Sequence, residues 1–525
     1  MTTASLALPA ERDLEAASRR LATIALALTF LVGAGVRLWA IDAVGLNSDE
    51  AVYSGQAAAL AAQPGYSDLF AIFRAHPLGV QFLLSLLFRF GVSDVAARLL
   101  AVAFGLAAIG LTYRLGADLF SRRVGLIAAV LLAVMPYHVA VSRQILLDGP
   151  MTTFFLLTIW CLARYTRTSE ARWLYATAFA GGLTFLAKET GVLVIPAAGA
   201  FALLTPRLRL GPVRLAVSAL LYLVAISPYP AAIVIGGGSD TARQFLVWQL
   251  LRQPNHPWTF YADILPGVVG PLVVLAALVG LVLAVRRAGW EDRLLVAWLA
   301  VPVAFFEIWP VKGFQYLLPV APAVAILAAR ALDAPWLIWL GRRRAAVGDW
   351  LAARPVMAPL ASLALVALVL TTIAVPSAQA VSTTTTIGSL AGTGGLPGGR
   401  EAGLWIRAHV PEGATFMTIG PTMANIVEYY GQRRALGLSV SPNPQRRNPA
   451  YDPIINPDRS IQLLRVQYIA EDVWSAARSP FFLATLRKYV AKYHGVLVYE
   501  QRALTRDASG AASEQVVIRI YEVRP

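Results

Sequence analysis

The chain has 525 residues, of which 57% are hydrophobic and only 14% charged, with a mean hydropathy of +0.60. That composition belongs to a polytopic membrane protein and excludes a single soluble domain of this size. The net charge of +15 is carried mostly by Arg in short gaps between apolar runs, which is the pattern of cytoplasmic loops rather than of a nucleic-acid surface, and the single cysteine, Cys161, excludes an intrachain disulfide.

Residues 1–20 end in a charged stretch from Glu11 to Arg20. The following run, 21–41, is too long for the apolar core of a cleavable signal, so it reads as the first transmembrane helix behind a cytoplasmic N-terminus. Asn47-Ser48-Asp49-Glu50-Ala51-Val52-Tyr53 comes next and sets two adjacent carboxylates just beyond a spanning segment. Charge in hydrocarbon costs several kcal/mol, so both belong at a membrane face. By themselves they read either as first-turn acids of a helix starting near Ser48 or as groups that do chemistry there.

Apolar runs of spanning or near-spanning length follow at 95–113, 124–141, 150–163, 173–187, 190–205, 215–235, 264–285, 294–309, 314–332 and 356–378, making eleven with the first. The segment 77–90 is apolar but short for a crossing, and reads as a helix lying along the membrane surface. Arginine fixes the orientation. If 77–90 does not span, one side receives Arg12, Arg19 and Arg20; Arg114, Arg122 and Arg123; Arg164, Arg167 and Arg172; Arg207, Arg209 and Arg214; Arg286, Arg287 and Arg293; and Arg342, Arg343, Arg344 and Arg354. The positive-inside bias makes that side cytoplasmic, and it inverts if 77–90 spans. The extracytoplasmic side then holds a first loop at 42–94 with Asp49, Glu50 and His76, then Arg143 and Asp148, Lys188 and Glu189, the loop 236–263, residues 307–312 and everything after 377.

The membrane domain is thus expected over 21–378. A linker at 379–400, with the Ser382–Thr386 hydroxyl run and a Gly-rich stretch from 392, leads to a soluble α/β domain at 401–525. The spacing there predicts helices over 401–409, 423–430 and 481–493, and strands over 415–419, 466–470, 496–500 and 515–523. Five prolines between Pro442 and Pro457 make 441–458 a loop.

Asp49-Glu50, His76-Pro77-Leu78-Gly79, Arg143 with Leu147-Asp148-Gly149-Pro150, Ala187-Lys188, and Lys312 with Tyr316-Leu317-Leu318-Pro319 form an ordered set within about residues 20–335. This set resembles the landmarks of the GT-C membrane glycosyltransferases, the class that includes protein O-mannosyltransferases and lipid A aminoarabinose transferases (families 39 and 83). The resemblance implies a GT-C fold and an inverting transfer of a hexosyl or pentosyl unit, with a polyprenyl-phosphate sugar as donor and a hydroxyl of a protein, lipid or glycan as acceptor, outside the plasma membrane. It implies Asp49 as the catalytic base with Glu50 beside it, and surface helices after them, which 77–90 matches. Two departures are visible. The family's Asp-Pro is Asp148-Gly149-Pro150 here, and Gln315 fills a position that is often basic, leaving Lys312 as the nearer cation.

Such a reaction needs a carboxylate to take the acceptor proton and cations to stabilise the departing phosphate. Arg143, Lys188 and Lys312 are candidates for the phosphate, with Asp148 and Tyr316 beside the donor. His76, and His256 and Trp258 in an aromatic-rich loop, are candidates for contact with substrate. A divalent ion on Glu50 and His76 is the one cofactor these residues allow, although five His without ligand spacing favour a structural or substrate-contacting His76. The competing classes are a transporter or flippase of a lipid-linked or sugar substrate, with Asp49, Asp148 and Lys312 along a polar path, and a membrane anchor presenting the tail domain.

Overall fold

A computed structural model of the chain describes residues 9–71, 76–206, 208–235, 238–333, 357–381, 385–386, 395–506 and 511–525. Arg342, Arg343, Arg344, Arg354, Arg207 and half of the 379–400 linker lie outside these residues.

The membrane part is helical: α1 (Pro9–Leu38), α2 (Ser48–Leu60), α3 (Gly79–Phe88), α4 (Asp94–Leu119), α5 (Arg122–Val134), α6 (Pro136–Val141), α7 (Asp148–Thr168) and α8 (Ala171–Ala187). It continues with α9 (Val194–Leu204), α10 (Pro212–Ile226), α11 (Pro228–Ile235), α12 (Ser239–Leu250), α13 (Phe260–Val269), α14 (Pro271–Arg287), α15 (Trp290–Ile308) and α16 (Ala321–Leu332), and closes with the helix Met357–Ala380. Each apolar run expected from the sequence is mainly helical. Among the described residues, four stretches are long and apolar enough to cross a bilayer, Arg20–Leu38, Asp94–Leu119, Phe314–Leu332 and Leu360–Gln379, and the bent pairs α10–α11 (43°) and α13–α14 (109°) bring the number to six if each pair is one span. The expected eleven exceeds this because several runs are interrupted. Pro136 separates α5 from α6, and Gly270-Pro271 turns α13 sharply into α14. A 13-residue helix such as α5 covers about 20 Å, short of the roughly 30 Å of hydrocarbon.

Leu21, Ile24, Leu28 and Leu31 of α1 are exposed, as lipid-facing side chains are, while α7 and α16 are buried along most of their lengths. Small residues permit the closest crossings. A Cβ on Gly280 of α14 would lie 2.1 Å from the Leu327 carbonyl oxygen of α16. The ten-residue α3, about 15 Å long, cannot span. It buries Val80, Leu84 and Phe88 and exposes Phe82, Leu83, Leu86 and Leu87, the two-faced pattern of a helix at an interface.

The tail forms one mixed sheet of β1 (Thr385–Thr386), β2 (Thr415–Thr418), β3 (Arg434–Gly437), β4 (Tyr468–Asp472), β5 (Val496–Arg506) and β6 (Ala512–Glu522), in the order β1-β5-β6-β4-β2-β3. β2 pairs parallel with β3 and β4, and β6 runs antiparallel to β4 and β5. The helices Gly399–His409, Pro421–Ile426 and Pro480–Lys492 lie near their expected places, whereas β3 and the short helices Pro457–Gln462 and Val473–Arg478 were not anticipated. This domain sits directly on the first loop. Arg400 donates to Asp42 Oδ1 (2.7 Å) and Asp94 Oδ2 (2.9 Å), and the Leu46 N–H donates to the Tyr430 hydroxyl (2.8 Å). At the seam a Cβ on Gly395 would fall 1.8 Å from the Gly45 carbonyl oxygen, so only glycine fits.

Candidate active site

Asn47 starts α2. Its Oδ1 accepts from the N–H groups of Asp49 (2.9 Å) and Glu50 (3.0 Å), and its own N–H donates to Glu50 Oε2 (3.0 Å), closing a capping box. Its Nδ2 donates to Gln144 Oε1 at 2.7 Å, tying this turn to the segment before α7. The box sends the two acids in different directions.

Glu50 points inward and is fully buried. Arg98 of α4 donates to it from Nε and Nη2, both at 3.0 Å, and the Ile145 N–H adds a bond of 3.2 Å. Arg98 also donates to the carbonyls of Ile41, Val44 and Gly45, so the pair knits the segment between α1 and α2 to α2 and α4. Four N–H groups thus occupy the Glu50 carboxylate. It is built as an organising group, and the cation it meets is none of Arg143, Lys188 or Lys312. It is also not beside His76, whose Nδ1 bonds Glu189 Oε2 at 2.7 Å. A divalent ion on Glu50 and His76 therefore does not fit, since it would have to displace Arg98.

Asp49 points the other way and remains open to solvent. Its carboxyl is held above the usual carboxylate range, chiefly because surrounding protein displaces water and partly because Glu50 is near, while Lys188 and His76 pull it back. Around it stand three further elements. Asp148 at the start of α7 accepts from Lys188 Nζ at 2.8 and 2.9 Å, both groups buried. Lys188 lies 4.8 Å from the Tyr316 ring centroid. His76 meets the Tyr53 ring edge-on at 6.0 Å and the Phe245 ring of α12 at 5.9 Å. Asp49, His76, Asp148, Lys188 and Tyr316 are thereby brought together.

Other expected residues stand elsewhere. Arg143 caps α1, donating to the carbonyls of Trp39 (2.7 Å) and Val36 (3.4 Å). Lys312 Nζ donates to the Phe306 and Glu307 carbonyls and to Glu307 Oε2, against the negative end of the α15 dipole. His256 stacks on Phe260 at 4.1 Å, and Trp258 is exposed. Neither makes a contact with the Asp49 group. Arg98, Tyr53 and Glu189 were missed as site residues. An Arg at the head of an apolar run was the available signal for the first. Arg252, stacked over Trp248 at 4.5 Å and bonded to Gln249, acts electrostatically on Tyr316 and is a cation that the loop 236–263 contributes.

Comparison with known proteins shows similarity in sequence over part of the chain and in fold over nearly all of it. Residues 75–231 match the family described as dolichyl-phosphate-mannose-protein mannosyltransferase. An undecaprenyl phosphate-alpha-4-amino-4-deoxy-L-arabinose arabinosyl transferase of Aeromonas salmonicida is 31% identical over 159 residues, and the match spans 27% of this chain and 27% of that relative. ArnT from Cupriavidus metallidurans in the apo state superposes with a TM-score of 0.69 at 16% identity, covering 96% of this chain and 98% of that one. The same protein bound to undecaprenyl phosphate gives 0.66 at 15%, covering 94% and 97%. The oligosaccharyltransferase AglB from Archaeoglobus fulgidus, in complex with an inhibitory peptide and a dolichol-phosphate, gives 0.63 at 14%, covering 95% and 74%. The chain has the GT-C fold of membrane glycosyltransferases and is similar in sequence to the protein mannosyltransferases and aminoarabinose transferases.

Proposed function

We propose that the chain is an inverting glycosyltransferase of the plasma membrane, moving a monosaccharide from a polyprenyl-phosphate donor to an acceptor hydroxyl at the extracytoplasmic face. One observation carries this reading. Glu50, Asp148 and Glu189 each hold a cationic or imidazole partner, whereas Asp49, open to solvent among them, has none among the described residues. A carboxylate left free, with its proton affinity raised by its surroundings, is suited to accept a proton.

In this mechanism Asp49 takes the proton of the acceptor hydroxyl as its oxygen attacks the anomeric carbon. The bond from that carbon to the phosphate oxygen breaks, its electron pair leaves on the phosphate, and attack from the opposite face inverts the centre. Lys188, oriented by Asp148, and Arg252 supply positive charge for the leaving phosphate, and Tyr316 supplies a hydroxyl. The tail domain is extracytoplasmic and selects the acceptor. A polar cavity of about 360 Å³ lies between the first loop and the tail, lined by Asp68, Asn425, Arg434 and Tyr451 among others, and supports this placement.

The test is transfer of radiolabelled sugar from polyprenyl-phosphate donors by the purified chain. Asp49→Asn should lower transfer by about 10²–10⁴-fold. A variant that retains full activity on a donor the wild type uses removes Asp49 as the base.

A further inference from the structure

An apolar groove of about 780 Å³ runs between α1, α5 and the helix Met357–Ala380, with Leu28, Val32, Val36, Trp39, Val130 and Leu370 along its walls. Its hydroxyls turn away from it: Thr29 donates to the Ala25 carbonyl and Ser377 to the Val134 carbonyl. The volume lies in the range of small-molecule sites.

The charge beside this groove is not balanced. Arg37, fully buried in α1 and behind the groove-lining Ala133, donates from Nε to Ser142 Oγ (2.8 Å) and from Nη1 to the carbonyls of Gly33 (2.9 Å) and Ala133 (2.7 Å). Its Nη2 donates to His138 Nδ1 (2.7 Å). At the outer end Arg143 bonds the carbonyls of Val36 and Trp39, both groove residues, and stays partly exposed. All these partners are neutral, and among the described residues neither arginine meets a carboxylate. Glu50, the acid that acts electrostatically on Arg143, is taken up by Arg98, whose own charge repels Arg143. Two guanidinium charges therefore stand without an anion next to an apolar channel, a costly arrangement at the edge of a bilayer.

We propose that this groove binds an anionic phospholipid, its acyl chain lying along α1 between α5 and the last membrane helix and its phosphate seated at Arg143, where it offsets the charge of Arg143 and Arg37. No residue lining the groove comes from α2, α7, α8 or the Tyr316 segment, so a sugar donor lodged here would hold its sugar away from Asp49. The occupant is for this reason a phospholipid and not the donor.

Native mass spectrometry of the full chain in detergent, offered equimolar phosphatidylglycerol, phosphatidylcholine and undecaprenyl phosphate, tests the assignment. One phosphate at one arginine should favour phosphatidylglycerol over phosphatidylcholine about fivefold. Arg143→Gln should bring that ratio close to one, Arg143→Lys should keep most of it, and Ala374→Phe, which fills the groove, should reduce retention of lipid altogether. Equal retention of the two phospholipids by the wild type, or an unchanged ratio in Arg143→Gln, overturns the proposal. So does displacement of phosphatidylglycerol by undecaprenyl phosphate in an Arg143-dependent manner. Should Arg143→Gln not fold, a photoreactive side chain in place of Val36 in the otherwise native chain should crosslink phosphatidylglycerol in preference to phosphatidylcholine, and crosslinking without preference has the same overturning force.

Discussion

Asn425 of the tail domain donates a 2.9 Å hydrogen bond to Ser48 Oγ, the side chain immediately before Asp49. Two residues further back, the Leu46 N–H is held by Tyr430, whose hydroxyl also bonds Asp94 together with Arg400. The turn that aims Asp49 is therefore shared between membrane and tail domains, and its geometry depends on both.

Tyr430→Phe tests that dependence. It removes the acceptor of the buried Leu46 N–H and one donor to Asp94, at a cost of about 1–3 kcal/mol. Amide exchange at Leu46 should rise in the variant, and sugar transfer should fall with it. Unchanged exchange at Leu46 would mean that the tail does not steady this turn.

The neighbours Asp49 and Glu50 should separate cleanly under mutation. Glu50→Ala strands the Arg98 guanidinium in a buried site and should lower stability by about 3–5 kcal/mol. Asp49→Asn breaks no ion pair or side-chain hydrogen bond among the described residues, because the one bond of Asp49 is its N–H to Asn47, and it should unfold at nearly the wild-type temperature while losing transfer. Thermal unfolding of the two purified variants beside wild type makes the comparison, and equal stability of both would show that the Arg98 pair contributes little.

How much of this was legible in the sequence depends on the range over which each feature acts. The helices follow from apolar runs, and the gathering of Asp49, His76, Asp148, Lys188 and Tyr316 from the ordered set that carries the family resemblance. Pairing was not legible. Glu50 is equally compatible with Arg143, Lys188 or Arg98, and only the folded arrangement, which brings the N-terminal end of α4 to Glu50, chooses the last. The bond between Arg400 and Asp94 joins residues 306 positions apart, with no periodicity to announce it. The break at Gly270-Pro271 did have a local signal, a Gly-Pro pair inside an apolar run, yet hydropathy alone passes over it.

The arginine pattern makes a topological statement that labelling can check. In a chain with Cys161 replaced by serine, a cysteine at Arg122 should react with membrane-impermeant reagent only from the cytoplasm, and one at Asp68 only from outside. Both positions are exposed. The reverse pattern would turn the Asp49 cluster to the inner face and remove an extracytoplasmic reaction.

The tail domain should carry a titration of its own. Asp472, at the end of β4, is buried, accepts from the Ser475 N–H at 2.7 Å, and leaves its second oxygen without a hydrogen-bond partner among the described residues. Burial pushes its carboxyl up to about 6. Between the ordinary carboxylate value near 4 and that raised value the folded chain binds more protons than the unfolded one, so stability falls as pH rises through this window and the cost is fully present at neutral pH. Asp472→Asn keeps the capping oxygen and removes the charge. The stability of the variant relative to wild type should therefore be greatest at pH 7.5 and narrow by about 1–2 kcal/mol on going to pH 5. Thermal unfolding of both chains across that range measures the difference. A gap that stays constant with pH would mean that Asp472 is not the group that titrates.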